Sequence, residues 1–250
     1  MAAETLHKIA VSLKNFFNKK RILIFLIALR RYVLFLLGGF ILCSVSGVII
    51  YAIIPPPLTP LMVTRIPVQL MEKEKPVFKA RWVPLEDISP SLILAVVASE
   101  DNNFLHHFGI DLEALQQARE ENKYRKRPRG ASTITQQTAK NLFLVPSRSY
   151  IRKGFEVYFT VLIELIWSKK RIMEVYLNCI EMGEGIYGAE AAARTYFNTS
   201  AAKLSRSQSA MLAVILPNPR NRDPRHPSAY MLSRQQWVLW NMRNIEKVEF

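Results

Sequence analysis

Ser89-Pro90-Ser91-Leu92-Ile93-Leu94-Ala95-Val96-Val97-Ala98-Ser99-Glu100-Asp101-Asn102-Asn103-Phe104-Leu105-His106-His107-Phe108-Gly109 opens on a helix start and closes on a turn. Ser89 is a hydroxyl N-cap, and Pro90 suits the first helical position, where its missing N–H costs nothing. The apolar residues 92–97 then carry a helix toward Ser99 and Glu100. Glu100 falls at the carbonyl end of that helix, where the dipole disfavours a carboxylate anion, the direction a general base or acid needs. Two adjacent acids at a helix end are more often solvated than catalytic. Phe104, His107 and Gly109 shift that balance by setting an aromatic, an imidazole and a turn residue at fixed offsets behind them.

Downstream, Gly130-Ala131-Ser132-Thr133-Ile134-Thr135-Gln136-Gln137 reads as a loop entering a helix. Free backbone amides and short polar side chains at such an end suit a phosphate or a sugar, and Ser132 or Thr133 can cap the helix at the same time. Further helices are expected at 135–144, 149–167, 169–180, 189–196, 205–216 and 228–245, punctuated by Pro217-Asn218-Pro219 and by Gly183, Gly185 and Gly188. Strand patterns are scarce after residue 82. The fold class expected is therefore all-α, or nearly so, with 82–250 as the main domain and 55–81 as a proline-containing linker with room for a short extended piece.

Toward the N-terminus, residues 32–54 form a 23-residue stretch without a charge, enough to cross a hydrocarbon layer roughly 30 Å thick. A cleaved signal peptide would have a shorter apolar region and a small-residue cleavage site. Here the run meets Pro55-Pro56-Pro57, which cannot continue a helix and favours a stiff, extended spacer. Lys8, Lys14, Lys19, Lys20, Arg21, Arg30 and Arg31 precede it against one acid, Glu4. The positive-inside rule then keeps residues 1–31 in the cytoplasm and turns the chain from residue 58 onward outward. The apolar run 22–29 is too short to span and is expected to lie at the interface.

Cys43 in the span and Cys179 in the outer domain are the two cysteines, and no disulfide is expected between them. Cys179 reads as a small buried hydrophobe, and no zinc-ligand spacing occurs. The chain carries 34 Lys and Arg against 20 Asp and Glu, a net +14. Without its N-terminal arm it keeps +8, which favours an anionic partner. An outward-facing domain beside a bilayer meets lipid phosphates rather than nucleic acid. The cluster Lys123, Arg125, Lys126, Arg127 and Arg129 directly before Gly130 belongs to this excess or is an ordinary solvated loop.

Taken together, the motifs resemble the peptidoglycan glycosyltransferase family, the module of class A penicillin-binding proteins and of monofunctional biosynthetic transglycosylases. Glu-Asp-x-x-Phe-x-x-His-x-Gly appears as residues 100–109, and Gly-x-Ser-Thr-Ile-Thr-Gln-Gln as 130–137. Arg152-Lys153-Gly154-Phe155-Glu156 is the third motif, and Lys169-Lys170-Arg171-Ile172-Met173-Glu174-Val175-Tyr176-Leu177-Asn178 the fourth. The resemblance covers roughly residues 82–240 and implies a lysozyme-like α-helical fold that polymerises lipid II into glycan strands. Glu100 would be the general base on the acceptor's 4-hydroxyl, and Glu156 would assist pyrophosphate departure, directly or through a divalent cation, Mg²⁺ or Mn²⁺. Lys140, Arg152 and Lys153 would hold the pyrophosphate. Asp101, Phe104, His107, Ser132, Thr133, Gln136, Gln137 and Asn141 would bind and orient substrate. The partners implied are lipid II, the growing strand, membrane lipid, and cell-wall synthesis and division proteins, with no nucleic acid. The location implied is the bacterial cytoplasmic membrane.

The chemistry is self-consistent, since a sugar hydroxyl needs a positioned base and a leaving pyrophosphate needs fixed cations. Arg234-Gln235-Gln236-Trp237-Val238-Leu239 departs from the arginine pair common in bifunctional members and resembles the monofunctional branch. Gln208 stands where an acid is expected, which touches local helix contacts rather than catalysis. Ser200-Ala201-Ala202-Lys203 fits a transpeptidase pattern by coincidence, for no Lys-Thr-Gly or Lys-Ser-Gly accompanies it. Two other readings stay open: a lysozyme-like hydrolase or lytic transglycosylase, and a non-enzymatic membrane scaffold.

Overall fold

The computed structural model describes residues 2–72, 76–125, 130–147, 149–245 and 248–250. Helices dominate, as expected. α1 runs Ala2–Ile53, and within it Lys20–Ile53, 34 residues, is long and apolar enough to cross a membrane. The run 22–29, expected to be a separate interfacial segment, belongs to this same helix. Arg30 and Arg31 divide the composition, but arginine is a good helix former and leaves the backbone unbroken. The proline triplet stops the helix, as its missing N–H groups require.

The chain forms two compact units, one ending at Gly47 and one comprising Val48–Phe250. The last turn of α1 therefore counts with the second unit. There the Trp167 indole donates to Val48 O at 2.8 Å, and the Arg171 guanidinium donates to Tyr51 O at 2.9 Å and 3.1 Å and to Ile54 O at 3.0 Å. Arg171 thereby satisfies carbonyls at the C-terminal end of α1 that the helix leaves without intrahelical partners, while Trp167 adds a second donor to a carbonyl one turn earlier.

The connector holds a helix that the sequence does not lead one to expect: α2 occupies Pro60–Glu72 with Pro67 inside it. Its short extended piece is β1, Lys79–Ala80, which pairs parallel with the strand Ile186–Tyr187. Thr59 receives the Met62 N–H at 3.2 Å and supplies the start signal. Beyond it come α3 (Pro90–Glu100), α4 (Leu112–Asn122), α5 (Ile134–Phe143), α6 (Tyr150–Ile166), α7 (Lys169–Cys179), β2 (Glu181–Gly183), β3 (Ile186–Tyr187), α8 (Ala189–Phe197), α9 (Arg206–Ile215) and α10 (Ala229–Asn244). Six of the expected helices after residue 130 are found within about two residues of their expected ends. α4 was not expected; Asp111 caps it by accepting the Ala114 N–H at 2.8 Å.

Ser89, Ser149, Ser168, Ser205 and Ser228 each accept a backbone N–H at a helix start, so the serine punctuation of the sequence sets the helix boundaries. Two groups of helices make the body: α3 packs on α9 and α10, and α5 packs on α6 and α7. Leu92, Val96, Ile134, Ile163, Tyr176 and Leu212 are almost wholly inaccessible at their centre. Cys179 is buried there as well, its thiol pushed up to about 12 by burial, which suits an inert apolar filler.

Candidate active site

Three of the four sequence motifs come together where the C-terminus of α3 meets the N-terminus of α5, and the third motif, on α6, contributes Arg152 to a neighbouring cavity. Asp101, just past α3, is the hinge pin of this junction. One carboxylate oxygen pairs with His107 Nε2 at 2.8 Å and the other accepts the Ile134 N–H at 3.0 Å. Thr133 caps α5 through the Gln136 N–H, while Gln136 Oε1 accepts the Thr133 N–H at 3.1 Å and closes a capping box. The Thr133 hydroxyl donates to Gly109 O at 2.6 Å and so fastens the first motif to the second.

Gly109 has a physical reason to be glycine. Its φ is +73°, and a Cβ there would lie 2.6 Å from Thr160 Cγ2 and 2.8 Å from Glu164 Cγ. Behind it, Lys169 donates to His107 O at 2.7 Å and to Glu164 Oε1 at 2.8 Å, and sits 4.8 Å from the Phe104 ring centroid. Lys169 is the first residue of the fourth motif. The rest of that motif is also scaffold: Asn178 exchanges hydrogen bonds with both backbone groups of Val83 at 2.9 Å, and Glu174 pairs with Arg171 at 2.6 Å.

Several residues expected to bind substrate are buried within this scaffold. Phe104 is fully buried, so its ring has no surface to offer a substrate and acts as packing beneath the segment. Thr133, Gln136 and Asn141 are buried as well, and His107 is nearly so. Thr133 and Gln136 cap α5, and His107 is held by Asp101, whereas Asn141 lines a cavity together with Gln137, Lys140 and Arg152, and Glu100 and Ser132 face another.

Two cavities in this region bear on the chemistry. One, of about 650 Å³, is lined by Glu100, Gly130, Ser132 and Gln137 on one side and by Arg234 and Trp237 of α10 on the other. The second, of about 520 Å³, is lined by Gln137, Lys140, Asn141, Arg152, Arg65 and Glu181, among others. Gln137 borders both. Its amide donates to Glu100 Oε2 at 2.9 Å, and its carbonyl accepts the Tyr176 hydroxyl at 3.2 Å. Tyr176 is 1% exposed, and burial pushes its phenol well above the ordinary range, so it stays a donor. A phenol that keeps its proton donates to the amide oxygen here, which favours the orientation that turns the amide NH2 toward the carboxylate.

Glu100 itself has its carboxyl raised above the ordinary value, chiefly by burial. The Gln137 hydrogen bond, the Arg234 charge and Ser99 oppose the shift, and Asp101 adds to it. Glu156 sits in a different setting. It is 3% exposed, with Arg152 at 2.6 Å on one oxygen and Lys153 at 2.5 Å on the other. The ammonium of Lys140 is pushed below the ordinary lysine range, first by the dense protein wall around it and then by Arg152 and Lys153, with Glu156 and Glu100 pulling the other way. Lys140 still reaches solvent, so its desolvation is partial.

As metal ligands these groups fit poorly. Asp101, His107 and Asp111 bring ligand atoms within 4.8 Å of one another, but Asp101 already serves His107 and Ile134, and Asp111 serves Ala114 and Asn103. Both oxygens of Glu156 carry cations.

Sequence reading overlooked Arg65, Tyr176 and Tyr230, and took the 234–239 stretch only as a branch marker. Arg234 lies 3.6 Å from the Trp237 ring centroid and Arg222 5.2 Å from that of Tyr230, so one wall of the Glu100 cavity is arginine laid on aromatic rings. In the charge cluster before Gly130, Arg125 lines this cavity and pairs with Glu121 at 2.7 Å. Lys126, Arg127 and Arg129 lie outside the described residues.

With this geometry in place, sequence comparison supplies the lineage. The family described as "Transglycosylase" matches residues 68–243. The chain belongs to the transglycosylase family. It is 55% identical over 217 residues to a protein of Bacteroides thetaiotaomicron named biosynthetic peptidoglycan transglycosylase, covering 87% of this chain and 88% of that one. Proteins of the same name from Caulobacter vibrioides and Bdellovibrio bacteriovorus are 54% identical over 194 residues and 48% over 211. These cover 78% and 84% of this chain, and 82% and 84% of the relatives, respectively. All four motifs fall inside the family match, whereas Arg65 does not.

Proposed function

We propose that this transglycosylase polymerises lipid II into linear β-1,4-linked glycan strands of peptidoglycan and releases polyprenyl pyrophosphate. The observation that carries the reading is the pair of cavities that meet at Gln137, a carboxyl in one and cations lining the other. In the first, Glu100 takes the proton of the acceptor's 4-hydroxyl as oxygen attacks the donor's anomeric carbon. Its raised carboxyl makes it a stronger base than an ordinary glutamate while it is ionised, and a positioned base contributes ~10²- to 10⁴-fold. In the second, Lys140 and Arg152 take up the charge of the departing pyrophosphate, with Lys153 adding to the field. Glu156 holds those two neighbours in place rather than touching the sugar.

A divalent cation, Mg²⁺ or Mn²⁺, enters with the substrate's pyrophosphate in this reading, because the carboxylates are occupied by protein donors. Bound there it would supply further charge neutralisation. α1 anchors the chain in the bacterial cytoplasmic membrane, with the basic arm cytoplasmic and the enzyme unit outside. Cell-wall synthesis and division proteins are the partners proposed, and nucleic acid is not one. A glycan hydrolase needs two carboxyl groups flanking the scissile bond; Glu156, ion-paired on both oxygens, is a poor second member. Purified full-length protein in detergent, given lipid II and Mg²⁺, is expected to yield glycan chains that lysozyme digests, with chelation lowering the rate. Cleavage of lipid-free cell wall without any polymer from lipid II would overturn the assignment.

A further inference from the structure

The cavity holding Lys140 and Arg152 has a wall from α2, and that wall carries a charge no other part of the site explains. Arg65 projects from α2 and donates to Glu181 Oε2 at 3.1 Å. Glu181 is 6% exposed. The pair is incompletely satisfied: Arg65 Nε and Glu181 Oε1 are both buried without a hydrogen-bond partner among the described residues. Burial pushes the Glu181 carboxyl up, with the Arg65 charge acting against the shift. The Arg65 side chain nonetheless keeps 27% of its surface accessible at the cavity wall, and a guanidinium so placed is a group suited to an anion. Around it the lining turns apolar, with Leu61 of α2, Leu144, Pro146, Leu216 and Pro219. Cations beside hydrocarbon in one cavity match a phosphate carried on a hydrocarbon chain better than a free sugar.

We propose that α2 completes the donor site. Arg65, steadied by Glu181, binds an oxygen of a prenyl-linked pyrophosphate, and Leu61 contacts the first carbons of its chain. The proposal rests on the function proposed above and adds a binding residue outside the family match. Glu181 competes with the phosphate for Arg65, so the two residues are expected to act with opposite signs.

Full-length protein in detergent micelles can be titrated with farnesyl pyrophosphate and with inorganic pyrophosphate by calorimetry. Arg65→Gln is expected to weaken both about 10-fold or more, Arg65→Lys to recover part of the loss, and Glu181→Gln to tighten both. Leu61→Ala is expected to weaken the farnesyl compound alone, which separates the chain contact from the phosphate contact. In lipid II polymerisation Arg65→Gln should raise KM more than it lowers kcat. The double variant Arg65→Gln/Glu181→Gln removes the buried pair whole, and weakened binding at an unchanged Tm excludes misfolding as the cause. If Arg65→Gln binds both probes within about twofold of wild type while Lys140→Gln has lost them, the role of α2 is wrong and the enzyme assignment stands. If wild type binds neither probe and makes no polymer, both readings fall together.

Discussion

Glu100 and Glu156 are the same residue type near one another, yet the protein treats them in opposite ways. Glu100 is lodged against an amide, with its charge opposed by burial and relieved only partly by Gln137 and Arg234. Glu156 is clamped between a guanidinium and an ammonium at 2.6 Å and 2.5 Å. A carboxylate that must receive a proton is kept short of counter-charge; one that must hold cations in place is given it in full. Role is set by surroundings, and adjacency in a motif says little about it.

The largest effect expected from breaking this contrast is on rate. Glu100→Gln should lower lipid II polymerisation at least ~10²-fold, the contribution of a general base, in a protein that still folds. Its stability should move the other way. A carboxyl raised in the folded state stabilises the fold when protonated, and that contribution is lost as pH rises through the folded value. Removing the charge at neutral pH should therefore leave Tm unchanged or raise it. Glu156→Gln should lower Tm, by about 1–3 kcal/mol of stability, because it leaves Arg152 and Lys153 without their partner. A fall in Tm for Glu100→Gln with none for Glu156→Gln would reverse the assignment of roles.

Gly109→Ala tests the platform that carries Glu100. It forces a side chain into positive φ and against Thr160 and Glu164, at a cost of ~1–3 kcal/mol readable by thermal or denaturant unfolding. Tyr176→Phe is the finest probe. Without the phenol the Gln137 amide is free to turn its oxygen toward Glu100, and the hydrogen bond that lowers the Glu100 carboxyl is weakened. The acidic limb of the kcat/KM profile should move to higher pH, a change that a simple loss of packing does not produce. An unmoved limb with lowered kcat would leave Tyr176 as packing only.

The sequence was legible where the signal was local. Serine caps, Pro90 and the proline triplet each act on the next few backbone groups, so helix ends could be placed from neighbours alone. α2 escaped because Pro67 in the middle of a 13-residue helix reads as a breaker. β2 and β3 escaped because two or three residues cannot display an alternation. At the site, the family resemblance pointed to Glu100, Lys140 and Arg152 but could not tell a surface from an interior. Phe104 and Thr133, in the motif like the rest, turned out to face inward. Arg65 and Arg234 reach the cavities, and Tyr176 reaches Gln137 from beneath, from elements distant in sequence, and only the packing of α2, α7 and α10 brings them there.

The bonds from Trp167 and Arg171 to the last turn of α1 bear on how a soluble version should be cut. The proline triplet marks the obvious scissor point in the sequence, and a cut there would strip Val48, Tyr51 and Ile54 from the protein. The indole N–H, on a side chain only 5% exposed, would lose its acceptor, and Arg171 would lose three of its contacts. A fragment that begins before Val48 keeps this clasp and should express as the sturdier protein.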